Sequence, residues 1–314
     1  MDNRKIWLTG SSGLVGRSIF ARLAQQGHDV LSVTNQMVAN YPQIKETTAL
    51  GLKKREYIDF SQAGQIEDSC RKFGVPEVLI HAGWGGMTEP ESQVHLRENV
   101  ANSFTLMRTL YRLGLSKFIF LGTINEYGHR GGKLSEDMDP VGKLRNYESG
   151  KRRVRELGIS EAEKQGAIYI HVRLANSFGA PQRKNSLIDT LHQAYINNEA
   201  ASLSTCEIYR DYIHTADVAE GILRICDVGY STTVNLGSGK SILLRHFVEQ
   251  YWHELGGEGD KLIFGALDRR GQLRQNPRPF MDLSKLVELT KWTPSVSVEE
   301  GIRLTAAEMN SYWR

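Results

Sequence analysis

Tyr147 and Lys151 are spaced four residues apart, which on a helix places both side chains on one face, about one turn apart. An ammonium group beside a phenol favours the phenolate and is expected to lower the pKa of the tyrosine from its ordinary value of about 10. Such a tyrosine can exchange a proton with a carbonyl or alcohol oxygen while a hydride moves to or from a nicotinamide. Because this spacing also occurs by chance, its chemistry depends on the residues around it.

A third candidate, Thr123, follows the apolar segment at residues 118–122, which has the composition of a buried strand. Open α/β sheets bind ligands at the carboxyl ends of their strands. A hydroxyl at this position can therefore hydrogen-bond the same substrate oxygen as Tyr147. We predict Thr123, Tyr147 and Lys151 as the catalytic residues of a redox enzyme.

A glycine-rich turn precedes the first predicted helix. The strand Ile6–Thr9 runs directly into this turn, which consists of Gly10, Ser11, Ser12, Gly13, Leu14, Val15 and Gly16. Gly10 permits the sharp turn, Gly13 lets the backbone approach a pyrophosphate, and Gly16 lets the helix pack on the strand. The free N–H groups of the helix N-terminus then face the phosphates. The turn is therefore predicted to bind a dinucleotide.

The second predicted strand, Asp29–Thr34, ends without the acid that often bonds the adenosine ribose in such sites. Thr34 stands at that position, and Asp29 begins the strand, at the end facing away from the cofactor. A 2′-phosphate would not be repelled here, so NADP is the predicted cofactor and NAD the alternative. No arginine follows closely, so the serines of the turn or Arg17 would have to supply the contacts.

The elements that must position these residues alternate along the first half of the chain. Apolar runs typical of strands lie at Ile6–Thr9, Asp29–Thr34, Val78–His81, Lys117–Leu121 and Ile168–Leu174. Helical periodicity is found at Gly16–Gln26, Glu91–Leu113 and Tyr147–Gln165. This alternation predicts an α/β fold with a doubly wound parallel sheet of the Rossmann type, joined by right-handed crossovers.

The regular alternation of strand and helix patterns ends after Phe178, which suggests a second, smaller domain. We predict a dinucleotide-binding domain over residues 1–178, to which residues 212–238 return as a helix and a strand at Thr233–Leu236. Residues 179–211 and 239–314 are predicted to form a smaller, discontinuous C-terminal substrate domain. A chain of 314 residues is long enough for this arrangement.

The composition, 40% apolar and 24% charged with a net charge of +3, is that of an average globular protein. The densest basic run, at residues 151–155, lies on a predicted helix and is interpreted as a solvated or phosphate-facing surface, not a nucleic-acid site. Cys70, Cys206 and Cys226 have neither metal-ligand nor disulfide-framework spacing. No apolar run approaches the ~20 residues of a membrane span, and no signal peptide precedes the first strand. We expect a cytoplasmic protein without a metal site.

Taken together, the motifs resemble the extended short-chain dehydrogenase/reductase family, in its nucleotide-sugar epimerase, dehydratase and reductase branch. The matching segments are TGSSGLVG at 9–16, IDF at 58–60, HAG at 81–83, ENV at 98–100, LGTINEYG at 121–128, YESGK at 147–151, VRLANSFG at 172–179, RDYIHTADVAEGI at 210–222 and NLGSGKS at 235–241. They cover nearly the whole chain. The resemblance implies a nucleotide-sugar substrate.

Carried over residue by residue, the resemblance implies further site residues. Beside the cofactor it implies Asp59 and Phe60 at the adenine, His81, Ala82 and Gly83 along the dinucleotide, Asn99 in support of the active-site helix, and Leu174. At the substrate it implies Asn125, Asn176 and two arginines that grip the diphosphate, Arg210 and Arg270. Arginine suits that role because its planar guanidinium meets phosphate oxygens in pairs.

Departures from the family pattern narrow the reaction. Nucleotide-sugar 4,6-dehydratases carry an Asp-Glu or Ser-Glu pair after the hydroxyl residue, whereas this chain has Ile124 and Asn125. Bifunctional GDP-fucose synthases carry a cysteine at the position of Asn125, and that proton donor is also missing. Glu126 falls one position later, where a structural role is an alternative. Simple 4-epimerases of the UDP-galactose type usually show the ribose acid that Thr34 replaces.

We therefore predict an NADPH-dependent reductase of a nucleotide-linked 4-keto-6-deoxy sugar, with Tyr147 as the proton donor. A 4-epimerase with tightly held NAD is the alternative within the family, and a dehydratase is disfavoured. The alternative from another class is a non-catalytic dinucleotide-binding sensor. The intact set of Thr123, Tyr147 and Lys151 argues against a sensor, which has no need of a proton relay.

The resemblance also implies a homodimer, in which helices 91–113 and 147–165 pair across a twofold axis as in related enzymes. Leu106, Leu110 and Leu113 form an apolar stripe at helical spacing that could supply this contact. The alternative is that the stripe faces only the sheet of its own chain.

Overall fold

In a computed structural model of the chain, the described residues are 3–35, 54–267 and 277–312. Their strands are β1 (Lys5–Thr9), β2 (Asp29–Thr34), β3 (Arg55–Tyr57), β4 (Val78–His81), β5 (Lys117–Leu121), β6 (Gly132–Leu134), β7 (Ile168–Leu174), β8 (Asn176–Phe178), β9 (Ala201–Ser202), β10 (Tyr209–His214), β11 (Thr232–Leu236), β12 (Ser241–Leu243), β13 (Leu262–Ile263) and β14 (Pro279–Met281). Their α-helices are α1 (Leu14–Gln25), α2 (Ala63–Phe73), α3 (Val100–Arg112), α4 (Asn146–Gln165), α5 (Leu187–Ile196), α6 (Thr215–Ile225), α7 (Leu244–Glu254), α8 (Ser284–Thr290) and α9 (Val298–Tyr312).

The central sheet has the strand order β11-β7-β5-β4-β1-β2-β3. Every neighbouring pair in it is parallel, so the connections between neighbours must cross over the sheet. The carboxyl ends of all seven strands therefore lie at one edge. The predicted Rossmann-type doubly wound sheet is confirmed, including the return of β11 to the edge beside β7.

Both faces of the sheet are covered, which explains why its strands are almost continuously apolar. Successive residues of β1 point to opposite faces: Ile6 enters the core beneath α1 and α6, and Trp7 enters the core beneath α2 and α3. A third core joins Phe178 to residues of α5, α7 and α9. This third core belongs mainly to the proposed substrate domain, whose boundaries stay a prediction.

Several local features differ from the sequence-based expectation. The helix expected from residue 91 begins as α3 only at Val100, after a π-helical turn at His95–Asn99 and turns stabilised by backbone bonds such as Ser92 N–H to the Glu89 carbonyl, 2.9 Å. Strand β3 is too short to show a strand period, and α2 buries only a few side chains, so neither was predicted.

The leucine stripe predicted for a homodimer is not available to a partner chain. Leu106 and Leu110 are fully buried against the sheet of this chain, and only Leu113, 36% exposed, reaches the surface. A side chain that fills its own core cannot also form an interface. The stripe therefore does not support the homodimer, which stays a prediction.

The basic run at residues 151–155 does not form one charged surface. Lys151 is buried, Arg152 and Arg155 are half-buried, and Arg153 is exposed. Within the part of the chain that the structure describes, no helix is both long and apolar enough to cross a lipid bilayer.

Candidate active site

The glycine-rich turn connects the carboxyl end of β1 to α1. Gly10 has φ +71°, and a Cβ at this residue would lie 2.6 Å from the amide nitrogen of Gly83. A Cβ at Gly16 would lie 2.1 Å from the carbonyl oxygen of Gly10. None of the described side chains caps the N-terminus of α1, and its first turn contains no acidic residue. The turn therefore fits the pyrophosphate of a dinucleotide, because its backbone is accessible and its helix N-terminus favours an anion.

Two aromatic rings predicted beside the cofactor point into the core. His81 is buried, and its ring hydrogen-bonds the hydroxyls of Thr9, at 2.7 Å, and Ser103, at 2.9 Å. Burial, together with the charge of Lys151, lowers the pKa of His81 to about 3, so the ring is neutral. Phe60 is also buried and meets the His81 ring edge-on. Only the main chain at these two positions is placed to line a cofactor.

The remaining cofactor positions lie at strand ends. Asp59 follows β3, and its carboxylate accepts hydrogen bonds from the amide of Ser61, at 2.9 Å, and from its hydroxyl, at 2.7 Å. Thr34 ends β2 opposite Tyr57, and Leu174 ends β7 in the core. The sheet thus brings the carboxyl ends of β1, β2 and β4 together beside the glycine-rich turn, as the strand order requires.

Asn99 supports the floor of the site. Its amide group bonds the backbone of Gly85 twice: Nδ2 donates to the carbonyl at 3.0 Å, and Oδ1 accepts from the N–H at 3.4 Å. In the same layer, Trp84 Nε1 donates to His95 Nδ1 at 3.0 Å, and His95 Nε2 donates to the Glu89 carbonyl at 2.9 Å. The His95 ring meets the ring of Tyr147 edge-on, with centroids 5.4 Å apart. Asn99 and His95 therefore fix the surface against which Tyr147 packs.

The three predicted catalytic residues come together at the carboxyl end of β5. Thr123 follows this strand, and its Oγ1 accepts a hydrogen bond from the amide of Asn125 at 3.3 Å. Tyr147 and Lys151 lie on α4, and the side chain of Tyr147 hydrogen-bonds that of Thr123. Lys151 Nζ donates to the carbonyl of Leu121 at 2.5 Å. The adjacent hydroxyls of Thr123 and Tyr147 can both bond one substrate oxygen.

The electrostatics of this group differ in one respect from the expectation. Burial raises the pKa of Tyr147 above its ordinary value, and the hydrogen bond with Thr123 only partly opposes this. Lys151 Nζ lies 5.4 Å from the centroid of the Tyr147 ring and 4.9 Å from that of Trp84, and its bond goes to the Leu121 carbonyl. The expected lowering of the Tyr147 pKa is therefore wrong for this structure, in which the phenol is the favoured form.

Lys151 is itself perturbed. Burial lowers its pKa to about 8, and the negative charge of Glu126 acts in the opposite direction. The ammonium is therefore present at neutral pH and is lost as the pH rises through about 8.

Glu126 belongs to a buried network behind Thr123. Its carboxylate accepts hydrogen bonds from the Thr123 amide at 2.9 Å and, if the imidazole nitrogen carries the proton, from His171 Nε2 at 3.0 Å, and Arg173 Nε lies 3.4 Å away. Burial alone would raise the pKa of Glu126, but His171, Arg173 and the Thr123 amide together lower it to about 2. Glu126 is therefore an ionised carboxylate that orients Thr123, and no solvent reaches it.

Glu126→Gln is expected to move the alkaline limb of the kcat/KM profile to lower pH, by about one unit, because the charge that raises the pKa of Lys151 is removed. The pH profiles of wild type and variant measure this. Glu161→Gln is the matched control. Glu161 is a buried carboxylate on α4, the helix that carries Lys151, but it does not contribute to the pKa of Lys151. A lower melting temperature with an unmoved limb would restrict Glu126 to a structural role.

Two of the predicted substrate residues, Asn176 on β8 and Arg210 on β10, lie on the small sheet formed by β8, β10 and β12. Asn125 lies in the 3₁₀ turn at Ile124–Tyr127, directly after Thr123. Asn176 Nδ2 donates to the carbonyl of Asp211 at 3.0 Å, and Arg210 Nη1 donates to the carbonyl of Tyr209 at 3.0 Å. Burial lowers the pKa of Arg210, and the charge of Arg145 adds to this. Arg270 lies outside the described residues.

Two arginines and one carboxylate at this site were missed by the sequence analysis. Arg145 lies two residues before Tyr147 and acts electrostatically on Arg210. Arg278 places its guanidinium 4.5 Å from the centroid of the Tyr209 ring. Asp211 accepts bonds from the amides of Ser238, Gly239 and Met281, at 2.8, 3.1 and 2.9 Å, and so ties β10 to the later segments. No spacing rule in the sequence links Arg145, Arg278 and Asp211. The high arginine content of residues 269–278 was the signal that could have pointed to Arg278.

Among the described residues, no cluster of three histidine, cysteine, aspartate or glutamate side chains could hold a metal ion.

Comparisons of the sequence and of the fold with known proteins agree on one family. The profile of the NAD dependent epimerase/dehydratase family matches residues 6–237. The chain is 26% identical to dTDP-6-deoxy-L-talose 4-dehydrogenase (NAD(P)(+)) of Kitasatospora kifunensis, over 95% of this chain and 93% of that protein. It is 24% identical to CDP-abequose synthase of Salmonella muenchen, over 96% of each chain. The fold matches that of UDP-glucose-4-epimerase from Stenotrophomonas maltophila, solved with bound NAD and formylated UDP-arabinopyranose, with a TM-score of 0.83, 17% identity and 99% coverage of both chains.

Proposed function

The chain belongs to the NAD dependent epimerase/dehydratase family, and on that premise we propose that it uses NADPH to reduce the keto group of a nucleotide-linked 4-keto-6-deoxy sugar. The family resemblance indicated by the motifs is confirmed, and with it a nucleotide-sugar-modifying, NAD(P)-dependent enzyme. The reductase reaction and the preference for NADPH are the proposal.

The proposal rests on the described residues beside the hydroxyls of Thr123 and Tyr147, none of which offers an accessible acidic group. Removal of water from a sugar, or inversion at a ring carbon through a carbanion, needs an accessible group that moves a proton at carbon. Asn125 cannot supply that proton, and the carboxylate of Glu126 is buried and bound to Thr123 and His171. The group formed by Thr123, Tyr147 and Lys151 is instead suited to proton transfer at oxygen.

Tyr147 is well prepared to act as the proton donor of a reduction. When bound, the reduced nicotinamide supplies a hydride to the keto carbon. Because burial raises the pKa of Tyr147, the phenol holds its proton at neutral pH and can give it to the keto oxygen. Thr123 donates a hydrogen bond to the same oxygen. Burial keeps the resting phenol protonated, but once the proton has been given the ammonium of Lys151, 5.4 Å from the centroid of the Tyr147 ring, favours the transient phenolate until water returns the proton.

The substrate class is supported by charge and by the relatives. The charge of Arg145 contributes to the lowered pKa of Arg210, and a diphosphate beside Arg210 would stabilise its charge. Arg145 itself is paired with Glu148. Arg278, beside Tyr209, is a further candidate for the diphosphate. The Kitasatospora relative is named as a 4-dehydrogenase of a dTDP-linked 6-deoxy sugar, and the reverse of such a reaction is the reduction of a 4-keto group.

The second candidate is a nucleotide-sugar 4-epimerase, since the family description includes epimerases. The same relay would serve it, because oxidation followed by reduction of C4 also moves a proton at oxygen. An epimerase keeps its dinucleotide bound through the cycle, whereas a reductase exchanges it at each turnover. The two functions therefore differ in cofactor stoichiometry.

A panel of CDP-, GDP-, dTDP- and UDP-linked 4-keto-6-deoxy sugars tests the proposal. We expect one of these to consume added NADPH mole for mole and to yield the corresponding alcohol, measured by absorbance and mass spectrometry. Cofactor released from freshly purified protein is measured in parallel. Stoichiometric bound NAD⁺, with interconversion of two sugar nucleotides and no NADPH consumption, would replace the reductase with the epimerase.

A further inference from the structure

Arg55 is a half-buried arginine that is not neutralised by any carboxylate of residues 3–35, 54–267 and 277–312. It begins β3, the edge strand beside β2. Its Nε is shielded from solvent and has no hydrogen-bond partner within the part of the chain that the structure describes, and burial lowers the pKa of its guanidinium. A partly desolvated charge without a partner costs free energy, which a bound anion would offset.

The neighbouring carboxylates are already committed to other cations. Glu56 pairs with Lys72 at 3.0 Å, and Asp29 pairs with Lys54 at 2.8 Å. Arg55 therefore takes no part in the ion pairs that its neighbours form.

The strand register places Arg55 beside the dinucleotide turn. Its Cα partner in β2 is Ser32, and side chains of paired residues in neighbouring parallel strands leave the sheet on the same face. The Ser32 hydroxyl is hydrogen-bonded to the hydroxyl of Ser11, which belongs to the glycine-rich turn. Neighbouring strands lie about 4.8 Å apart, a distance that an arginine side chain spans. Arg55 thus emerges on the face that the turn reaches.

We propose that Arg55 binds the 2′-phosphate of the adenosine ribose of NADPH, next to the hydroxyl pair of Ser11 and Ser32. The inference rests on the proposed NADPH-dependent function. In a dinucleotide fold the pyrophosphate lies at the N-terminus of the first helix, and the adenosine ribose lies toward the end of the second strand. A cation on β3 is therefore nearer to the ribose than to the pyrophosphate. It supplies, from the third strand, the positive charge that is missing directly after Thr34.

The binding of adenosine 2′,5′-bisphosphate and adenosine 5′-monophosphate, measured by calorimetry, isolates the 2′-phosphate. Wild type is expected to prefer the bisphosphate by roughly tenfold or more, the scale of a charge-assisted hydrogen bond. Arg55→Met should remove most of this preference without changing the affinity for the monophosphate. Arg55→Lys should keep part of it, because a point charge replaces the planar fork. Lys54→Met is the control, since it removes an adjacent charge that is paired with Asp29.

The outcomes separate this inference from the proposed function. A wild-type preference that survives Arg55→Met would overturn the role of Arg55 and leave the NADPH preference standing. Equal affinities of wild type for the two ligands would overturn the NADPH preference and the Arg55 site together. A loss of affinity for both ligands in Arg55→Met, with a lower melting temperature, would make Arg55 a structural residue and also overturn the inference.

Discussion

Replacement of Tyr147 by phenylalanine is expected to lower kcat by about 10²-fold or more, the contribution typical of a positioned general acid. The variant keeps the ring, which packs edge-on against His95, and loses only the hydroxyl that bonds Thr123. The affinity for NADPH should therefore stay close to that of wild type. Steady-state turnover and fluorescence titration of the cofactor measure the two quantities separately.

Tyr111→Phe is the matched control for this variant. Tyr111 is a buried tyrosine whose hydroxyl donates to the Ile168 carbonyl at 2.8 Å, away from the catalytic group. Its loss is expected to reduce the free energy of unfolding by about 1 kcal/mol and to leave kcat unchanged. If Tyr147→Phe retained more than about a third of wild-type kcat, the contribution of a general acid would be absent and its assigned role would be wrong.

The grouping of Thr123, Tyr147 and Lys151 could be predicted because it depends on local geometry. A residue that follows a buried strand of a parallel sheet lies at its carboxyl edge, and residues four apart on a helix share a face. The sheet order then brings α4 against the end of β5. These rules need only the strand positions, which apolar runs in the sequence reveal.

The protonation preferences of the same residues could not be predicted from spacing. The pKa of Tyr147 depends on burial against His95 and Trp84, which the chain supplies from a turn far away in sequence. The role of Glu126 depends on His171 and Arg173. These two residues are two positions apart on β7, so their side chains leave the sheet on the same face and both reach Glu126. Long-range packing of this kind leaves no periodic signal.

The surroundings of the leucine stripe and of Arg55 also could not be predicted from the sequence. Apolar residues at helical spacing predict a buried face, but they do not say whether the chain itself or a partner covers it. For Leu106 and Leu110 the chain does. Arg55 lies in a strand of three residues that has no detectable period, so its neighbourhood with Ser32 emerges only from the register.

Lys151→Met is expected to lower kcat/KM by about 10²-fold or more, because it removes the positive charge that stabilises the Tyr147 phenolate. Methionine keeps much of the length and apolar surface that pack against the rings of Trp84 and Phe120. The substitution removes a buried ammonium and leaves the Leu121 carbonyl without its bond, two effects of opposite sign on stability. The melting temperature should therefore change little, and the loss of activity can be ascribed to the charge.

The pH dependence of wild type provides the second measure of Lys151. Its ammonium form prevails below the lowered pKa of about 8, so kcat/KM should fall as the pH rises through that value. In Lys151→Met the residual activity should lack this alkaline limb, since no ammonium remains to titrate. Lys164→Met, at an exposed position near the end of the same helix, should keep both the activity and the limb. A limb that persists in Lys151→Met would assign the titration to another group and leave Lys151 with only a structural part in the site.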